Sequence, residues 1–133
     1  MQSKSRIKYF FLLSLATIMS LIQFLDLYRI FDEPNDALAH EVMNKENYIS
    51  DKKVEFLLWR GADPSAPNTA LNLKEENPYN FILMAAILNN RENIIPLLHG
   101  NYTSEQKEAA LEYASQIENN QSKLKYNIES LFN

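Results

Sequence analysis

The chain has 133 residues, no cysteine, two glycines and a formal net charge of −4, and this length accommodates one compact domain and one further segment. The lack of cysteine excludes disulfide frameworks, thiolate metal sites and cysteine nucleophiles. From residue 35 onward, nine Lys and Arg stand against fourteen Asp and Glu, so this part lacks the basic surface that nucleic-acid binding requires.

The first predicted element is an apolar helix over residues 7–25, in which Lys8 is the only charge. Its uncharged run has 17 residues, the short end of what spans a bilayer core of ~30 Å. Basic residues precede the run and acidic residues follow it, which places the N-terminus in the cytoplasm by the positive-inside tendency. We therefore predict a basic cytoplasmic stub at 1–8, a signal-anchor and juxtamembrane segment at 9–31, and a domain at 32–133 on the non-cytoplasmic side, which is the periplasm in a Gram-negative cell.

Two other interpretations of this segment stay open. A cleaved signal peptide would use small residues near its cleavage site, and Ser14 and Ala16 supply such a pair. Cleavage there would leave a short apolar region, and the domain would then be exported without an anchor. Alternatively, a helix that is apolar on every side can lie inside a domain, although the remaining hundred residues are few to enclose it.

Spacing of apolar residues predicts helix pairs in the rest of the chain. The i, i+3, i+4 pattern of one helix face recurs at Val54/Leu57/Leu58, Ile94/Leu97/Leu98 and Ile128/Leu131/Phe132. Smaller residues with the same spacing precede each of these at Ala39/Val42/Met43, Ile82/Ala85/Ala86 and Leu111/Ala114/Ser115. Each unit is predicted to be a helix with small residues, a turn, and a helix with large aliphatic residues.

Turn and capping residues place the predicted helix ends. Asp51 is expected to cap a helix that Gly61 ends, Asn90 to cap a helix over 91–98 that ends at Gly100, and Thr103 with Gln106 to form a capping box. Asn119 and Asn120 are expected to separate the last two helices. The stretch between Gly61 and Pro78, rich in Pro and Asn, predicts a loop longer than most connections.

Residues 54–68, VEFLLWRGADPSAPN, resemble the second helix and outgoing loop of an ankyrin repeat. Residues 80–92 resemble the first helix and turn of the next repeat, so the resemblance is best over 52–98. The sequence departs from the family at Asn80-Phe81, at Asn89-Asn90, at Pro96 and in a longer loop. The resemblance implies an all-α, ankyrin-like stack of two to three degenerate repeats of antiparallel helix pairs with a long hairpin-type loop. A generic small helical bundle is the alternative.

No residue pattern indicates catalysis. His40 and His99 lack partners at metal-ligand spacing, and Glu75-Glu76 form an adjacent pair in a loop, where burial does not tune a catalytic pKa. Two isolated glycines cannot form a phosphate-binding loop. We therefore predict no enzyme activity, cofactor, metal site or small-molecule substrate.

The ankyrin resemblance implies that the domain binds another protein through its loop tips and first helices. The residues expected to contact the partner are Trp59, Asp63, Ser65, Asn68, Asn72, Lys74, Glu75, Glu76, Tyr79, Asn80, Leu83 and Ile87. Trp59 would serve as an exposed anchor, or would instead pack beneath the N-terminal segment or the loop. The acidic loop favours a partner with a basic patch.

The expected function is that of a membrane-tethered protein-binding module, in particular an immunity protein that neutralises a toxin. An accessory or assembly subunit of a membrane complex is the first alternative, in which the N-terminal helix is itself an interface. A small hydrolase without a visible motif is the remote one.

Overall fold

The computed structural model describes residues 2–71, 73, 77–116 and 122–133, which contain helices and no strand. Two compact units, Met1–Asp32 and Glu33–Asn133, make up the chain. The helices are α1 (Gln2–Leu27), α2 (Pro34–Val42), α3 (Tyr48–Trp59), α4 (Ile82–Leu88), α5 (Ser104–Gln116) and α6 (Ser122–Phe132), with a 3₁₀ helix at Ile95–Leu97. The all-α prediction is confirmed.

The first unit consists mainly of α1, whose 26 residues extend about 39 Å at the helical rise of 1.5 Å per residue. The Ser14 hydroxyl donates to the Phe10 carbonyl and the Thr17 hydroxyl to the Leu13 carbonyl. Such bonds satisfy both hydroxyls within the helix, as an apolar environment requires. None of the described α1 side chains is buried, unlike those of a core helix. The helix is long and apolar enough to cross a membrane or to act as a signal sequence.

In the second unit, α2 contacts α3 and α4, the 3₁₀ helix contacts α4 and α6, and α5 contacts α6. The core that these helices enclose includes Leu38, Leu57, Phe81, Leu83, Ile94 and Leu124, each at most 1% exposed. Two helix pairs, α2–α3 and α5–α6, therefore lie on either side of a middle segment made of α4 and the 3₁₀ helix.

The predicted α-helix over residues 91–98 is wrong, because only a 3₁₀ helix forms there. Pro96 lacks the N–H that an α-helical turn would use, and Asn90, with a left-handed φ of 54°, ends α4 at its C-terminus instead of beginning a new helix. Ile94 and Leu98 are fully buried, but Leu97 is 40% exposed. The middle segment thus contributes its aliphatic residues to the core without a complete second helix.

Two further predictions of helix ends agree with the structure, and the predicted cap of α3 does not. Gly61 follows α3 with a φ of +94°, which suits a glycine at a helix C-terminus. The Thr103 hydroxyl accepts from the Gln106 N–H while the Gln106 side chain accepts from the Thr103 N–H, confirming the capping box. The cap of α3 is Asn47, whose side chain accepts from the Ser50 N–H, so the predicted Asp51 cap is wrong. Asn119 and Asn120 lie outside the described residues.

Alanines form the packing face of α5, where Ala109, Ala110 and Ala114 are buried. The predicted face included Leu111 and Ser115, but Leu111 is 38% exposed and Ser115 is exposed as well. That prediction is wrong because small residues, not the larger leucine, allow α5 to approach its neighbours closely.

A buried arginine connects the middle segment to the α2–α3 pair. The Arg91 guanidinium is fully buried and donates to the carbonyls of Glu41 and Asn44, both at 2.8 Å. It also donates to the Ser50 hydroxyl at 3.0 Å and to the Asp51 carboxylate at 3.1 Å. A cation at the C-terminal end of α2 is favourable because the last carbonyls of a helix have no helical partners.

Two neighbouring side chains extend this connection. The Asn89 amide donates to the carbonyls of Val42 and Asn44, and the Glu46 carboxylate accepts from the Asn93 N–H at 2.8 Å. The turn before the 3₁₀ helix is therefore bonded to the turn between α2 and α3 by groups from both sides.

Candidate functional site

The first half of the loop between α3 and α4 is held by hydrogen bonds to two helices. The Asn35 side chain accepts from the Asp63 N–H at 2.7 Å, and the Thr69 hydroxyl donates to the Asp36 carboxylate at 2.7 Å. On the other side, the Gln106 amide donates to the Ser65 carbonyl at 2.8 Å. The loop is thus fixed to both α2 and α5.

The same loop begins α4. The N–H groups of Ile82 and Leu83 donate to the carbonyls of Ala66 and Pro64, both at 3.0 Å. Phe81 precedes α4 without a side-chain cap, so these loop carbonyls satisfy N–H groups that would otherwise lack partners. The position of the loop and the start of α4 are therefore coupled.

A hollow of about 380 Å³ opens where this loop meets the start of α5. It is lined by Ser65, Pro67, Asn77, Pro78, Asn80, Phe81, Thr103, Glu105 and Gln106. Asn80 lines the hollow, while its side-chain oxygen is shielded from solvent and accepts no hydrogen bond from the described residues. The accessible polar groups of the hollow therefore come from its other lining residues, among them Ser65, Thr103 and Glu105.

A second hollow of about 220 Å³ continues along α5. It is lined by Pro78, Tyr79, Glu105, Glu108, Ala109 and Glu112, and it shares Pro78 and Glu105 with the first. We refer to the two hollows together as the acidic groove. Tyr79, which is 38% exposed, supplies an aromatic surface beside the carboxylates.

Three carboxylates of the acidic groove lie on one face of α5, because Glu105, Glu108 and Glu112 follow the i, i+3, i+7 spacing of a helix stripe. All three are exposed, and none forms an ion pair within the described parts of the chain. The nearby cation Lys107 lies over the Phe132 ring at 5.8 Å. Like charges at this spacing repel one another, so the stripe gains from an external cation.

Tyr102, which precedes the groove residue Thr103, is buried. The Tyr102 hydroxyl donates to the Leu98 carbonyl, and its ring lies 5.4 Å from that of Phe132. Burial, and then the charge of Asp63, raise the pKa of Tyr102 well above its usual range. Tyr102 therefore stays neutral and keeps its hydroxyl bond at physiological pH.

Part of the predicted contact surface lies in the acidic groove. Ser65, Tyr79 and Asn80 line it. The backbone turn that presents Tyr79 is fixed by Asn77, whose side chain accepts from the Tyr79 N–H at 2.9 Å. The predictions for Asn72, Lys74, Glu75 and Glu76 fall outside the described residues.

The other predicted contact residues lie elsewhere. Leu83 and Ile87 are fully buried, so their assignment to a contact surface is wrong. The short helix α4 is apolar on every side, and its first six residues are buried in the core, whereas Leu88 is 47% exposed. Asn68 is 2% exposed and accepts from the Ala70 N–H, which removes it from the surface too. Asp63 is exposed, but its carboxylate accepts from both the N–H and the hydroxyl of Ser65.

Trp59 lies on the exposed face of α3, with 80% of its surface accessible. Of the two interpretations left open by the sequence, the structure supports the exposed one. Its ring stacks on that of Phe56 at 5.7 Å. Trp59 does not line the acidic groove.

Sequence reasoning missed the α5 carboxylates. Their helical spacing directly after the capping box was a usable signal, because a capping box fixes the register of the helix that it opens. No three His, Asp or Glu side chains converge as a metal-ligand set among the residues that the structure describes. His40 instead has its Nδ1 2.9 Å from the Asp36 carbonyl of its own helix.

No protein-family profile, curated protein or solved structure matches the chain. The acidic groove and α1 are therefore the features of the molecule that bear on its function. Both features are defined by described residues of this chain alone.

Proposed function

We propose that the chain is a membrane-tethered, non-enzymatic binding module whose acidic groove takes a basic segment of another protein. The observation that carries this proposal is the stripe of Glu105, Glu108 and Glu112, which has no counter-charge among the described residues. An aromatic side chain, that of Tyr79, lies beside it. Such a surface complements cations that also carry donors.

The chemistry of the groove favours Lys and Arg side chains in the partner. Their charged ends would pair with the α5 carboxylates, and charge-assisted hydrogen bonds of this kind are stronger than neutral ones. Their apolar stems would pack against Pro78 and Tyr79, as long basic side chains do on apolar surface. Complementary charge would mainly speed association and select the partner.

The helix contacts support an ankyrin-like arrangement as part of this proposal. Contact of α2 with α4 joins first helices, and contact of the 3₁₀ helix with α6 joins second helices. Stacked helix pairs contact their neighbours in this manner. In such an arrangement the loop and the first helix α5 would form the binding side, which is where the acidic groove lies.

The proposed anchor is α1, with the domain on the non-cytoplasmic side. A basic toxin that reaches the membrane would be a suitable partner, and covering its active surface would make the chain an immunity protein. An anchored inhibitor is held at the surface that its target must cross, which raises its effective concentration there.

The experiment that tests the proposal is site-specific photocrosslinking in the native host. A photoreactive amino acid at position 79 of the full-length chain is expected to capture a partner rich in Lys and Arg at the contact. The same amino acid in place of Tyr126, which lies on α6 and is 70% exposed, serves as the matched control. Glu105→Lys with Glu108→Lys is expected to abolish the adduct at position 79.

Equal adducts from positions 79 and 126, or an adduct that survives the charge reversal, would contradict the proposal. If the captured protein is a toxin, we expect co-expression of the full-length chain to restore growth of the cells that make the toxin. We expect co-expression of the charge-reversed chain not to restore it. Capture of a resident membrane subunit that also requires α1 would instead favour the accessory-subunit alternative.

A further inference from the structure

A second exposed surface lies on α3, away from the residues of the acidic groove. Its outer face consists of Tyr48, Ile49, Lys52, Glu55 and Trp59, and the three apolar members are 75%, 58% and 80% exposed, respectively. Tyr48, Lys52, Glu55 and Trp59 follow the i, i+4, i+7, i+11 spacing of one stripe. The opposite side of α3 is buried through Ser50, Val54 and Leu57.

The composition of this face is that of a membrane-interface contact. Trp and Tyr prefer the boundary between lipid and water because their rings are amphipathic. Lys52 donates to Glu55 at 2.7 Å and lies 5.7 Å from the centre of the Tyr48 ring. Both charged side chains are exposed and lie between Tyr48 and Trp59 on the stripe, so they would face the polar headgroups while the rings enter the lipid–water boundary.

Charge distinguishes this part of the domain from the rest. Residues 45–60 carry four Lys and Arg against three Asp and Glu, whereas the rest of residues 33–133 carries five against twelve. An anionic lipid surface would attract the first group and repel the second. The region around α3 is therefore the electrostatically favoured side for contact with anionic headgroups.

The chain between α1 and α2 makes such a contact easy to form. Six residues, 28–33, separate the end of α1 from the start of α2, which limits their reach to about 25 Å even when fully extended. If α1 spans the bilayer, the domain stays close to its surface, and a weak lipid contact gains from this high effective concentration.

We propose that the outer face of α3 docks on the headgroup region of the membrane that holds α1, with Trp59 and Tyr48 at the lipid–water boundary. The inference rests on the membrane anchoring proposed above and does not depend on what fills the acidic groove. A second copy of the chain is a weaker occupant, because one face of a 12-residue helix offers much less than the ~800 Å² per partner of a stable interface.

Trp59 is the only tryptophan of the chain, so its fluorescence tests the proposal directly. The full-length protein is reconstituted in vesicles of phosphatidylcholine and phosphatidylglycerol, with acyl chains brominated near the headgroup or unbrominated. We expect the bromine to quench Trp59, and we expect its emission maximum to shift to longer wavelength when phosphatidylglycerol is omitted. The matched control is Trp59→Phe with Tyr126→Trp, which moves the single tryptophan to α6 and is expected to remain unquenched.

Flotation of the vesicles separates failure of the anchor from failure of the inference. A chain that does not float shows that α1 is not embedded, which overturns both. A chain that floats with an unquenched, water-exposed Trp59 overturns the docking of α3 and leaves the anchor standing. Equal quenching in both variants would indicate general adsorption of the domain to the vesicles. An emission maximum that changes with the amount of protein per vesicle, without quenching by bromine, would indicate contact between copies of the chain. Either result also overturns the docking of α3.

Discussion

Arg91 and the α5 carboxylates are both charged, but they differ in where their partners are. The Arg91 guanidinium is fully buried, with four acceptors from other parts of the domain within 3.1 Å. The α5 stripe is exposed, and no described residue neutralises it. A charge whose partners are all internal stabilises the fold, whereas charges without internal partners are available to another molecule.

Removing Arg91 should have the largest effect. Arg91→Met leaves the Asp51 carboxylate without its buried partner and removes one donor from each of the carbonyls of Glu41 and Asn44, and breaking a buried pair in this way costs about 3–5 kcal/mol. Denaturant unfolding of the full-length chain followed by circular dichroism measures the loss. Lys125→Met is the matched control, because Lys125 is exposed and its nitrogen is 3.9 Å from Glu129. A similar loss of unfolding free energy in the two variants would show that charges with internal partners and exposed charges contribute equally to stability.

Tyr102 gives an intermediate effect that depends on pH. Tyr102→Phe removes a buried hydroxyl bond to the Leu98 carbonyl, which costs about 1 kcal/mol at neutral pH. Burial raises the pKa of Tyr102, so above about pH 10 the unfolded chain releases a proton that the folded chain retains. Stability therefore falls as the pH rises above this value, and the Phe variant lacks that part of the fall.

Denaturation midpoints across the alkaline range test this expectation. Tyr126→Phe is the control, since Tyr126 is 70% exposed, and it should leave the alkaline loss of the wild type unchanged. The same alkaline loss in Tyr102→Phe as in the wild type would show that another group is responsible.

Neutralising one carboxylate of the groove should give the smallest change in stability, and this change should be an increase where the two preceding variants give a decrease. Glu108→Gln relieves repulsion from Glu105 and Glu112, which is worth about 0.2–0.5 kcal/mol per pair, while crosslinking from position 79 should weaken. Glu129→Gln is the control, because it loses its partner Lys125 and should not gain stability. A clear loss of stability in Glu108→Gln would show that this carboxylate stabilises the fold, as Arg91 does, and would contradict its assignment to a binding surface.

Local signals in the sequence predicted helix ends and pair order more reliably than contacts between distant residues. Gly61 and the Thr103–Gln106 box act within a few residues, so their roles can be deduced from spacing. Asp51 was predicted to cap α3, but its carboxylate instead accepts a hydrogen bond from Arg91, which lies 40 residues away in the chain. No local pattern reveals that bond.

The site was predicted in part for the same reason. Tyr79 and Asn80 were assigned to the contact surface by resemblance and do line the groove. Leu83 and Ile87 were misassigned, although the unbroken apolar run of α4 is typical of a helix buried on every side. The open side of the groove depends on how α5 lies against the loop, which is a tertiary property that spacing alone does not contain.

The anchoring of the α3–α4 loop has a consequence for how related chains could diverge. Its described bonds to the helices are made by residues 63–69 and, at the start of α4, by Ile82 and Leu83. A change in the length of residues 63–69 would disturb these bonds together, because they join one segment to α2, α4 and α5. A lineage that inherits this scaffold is therefore expected to keep the spacing of residues 63–69.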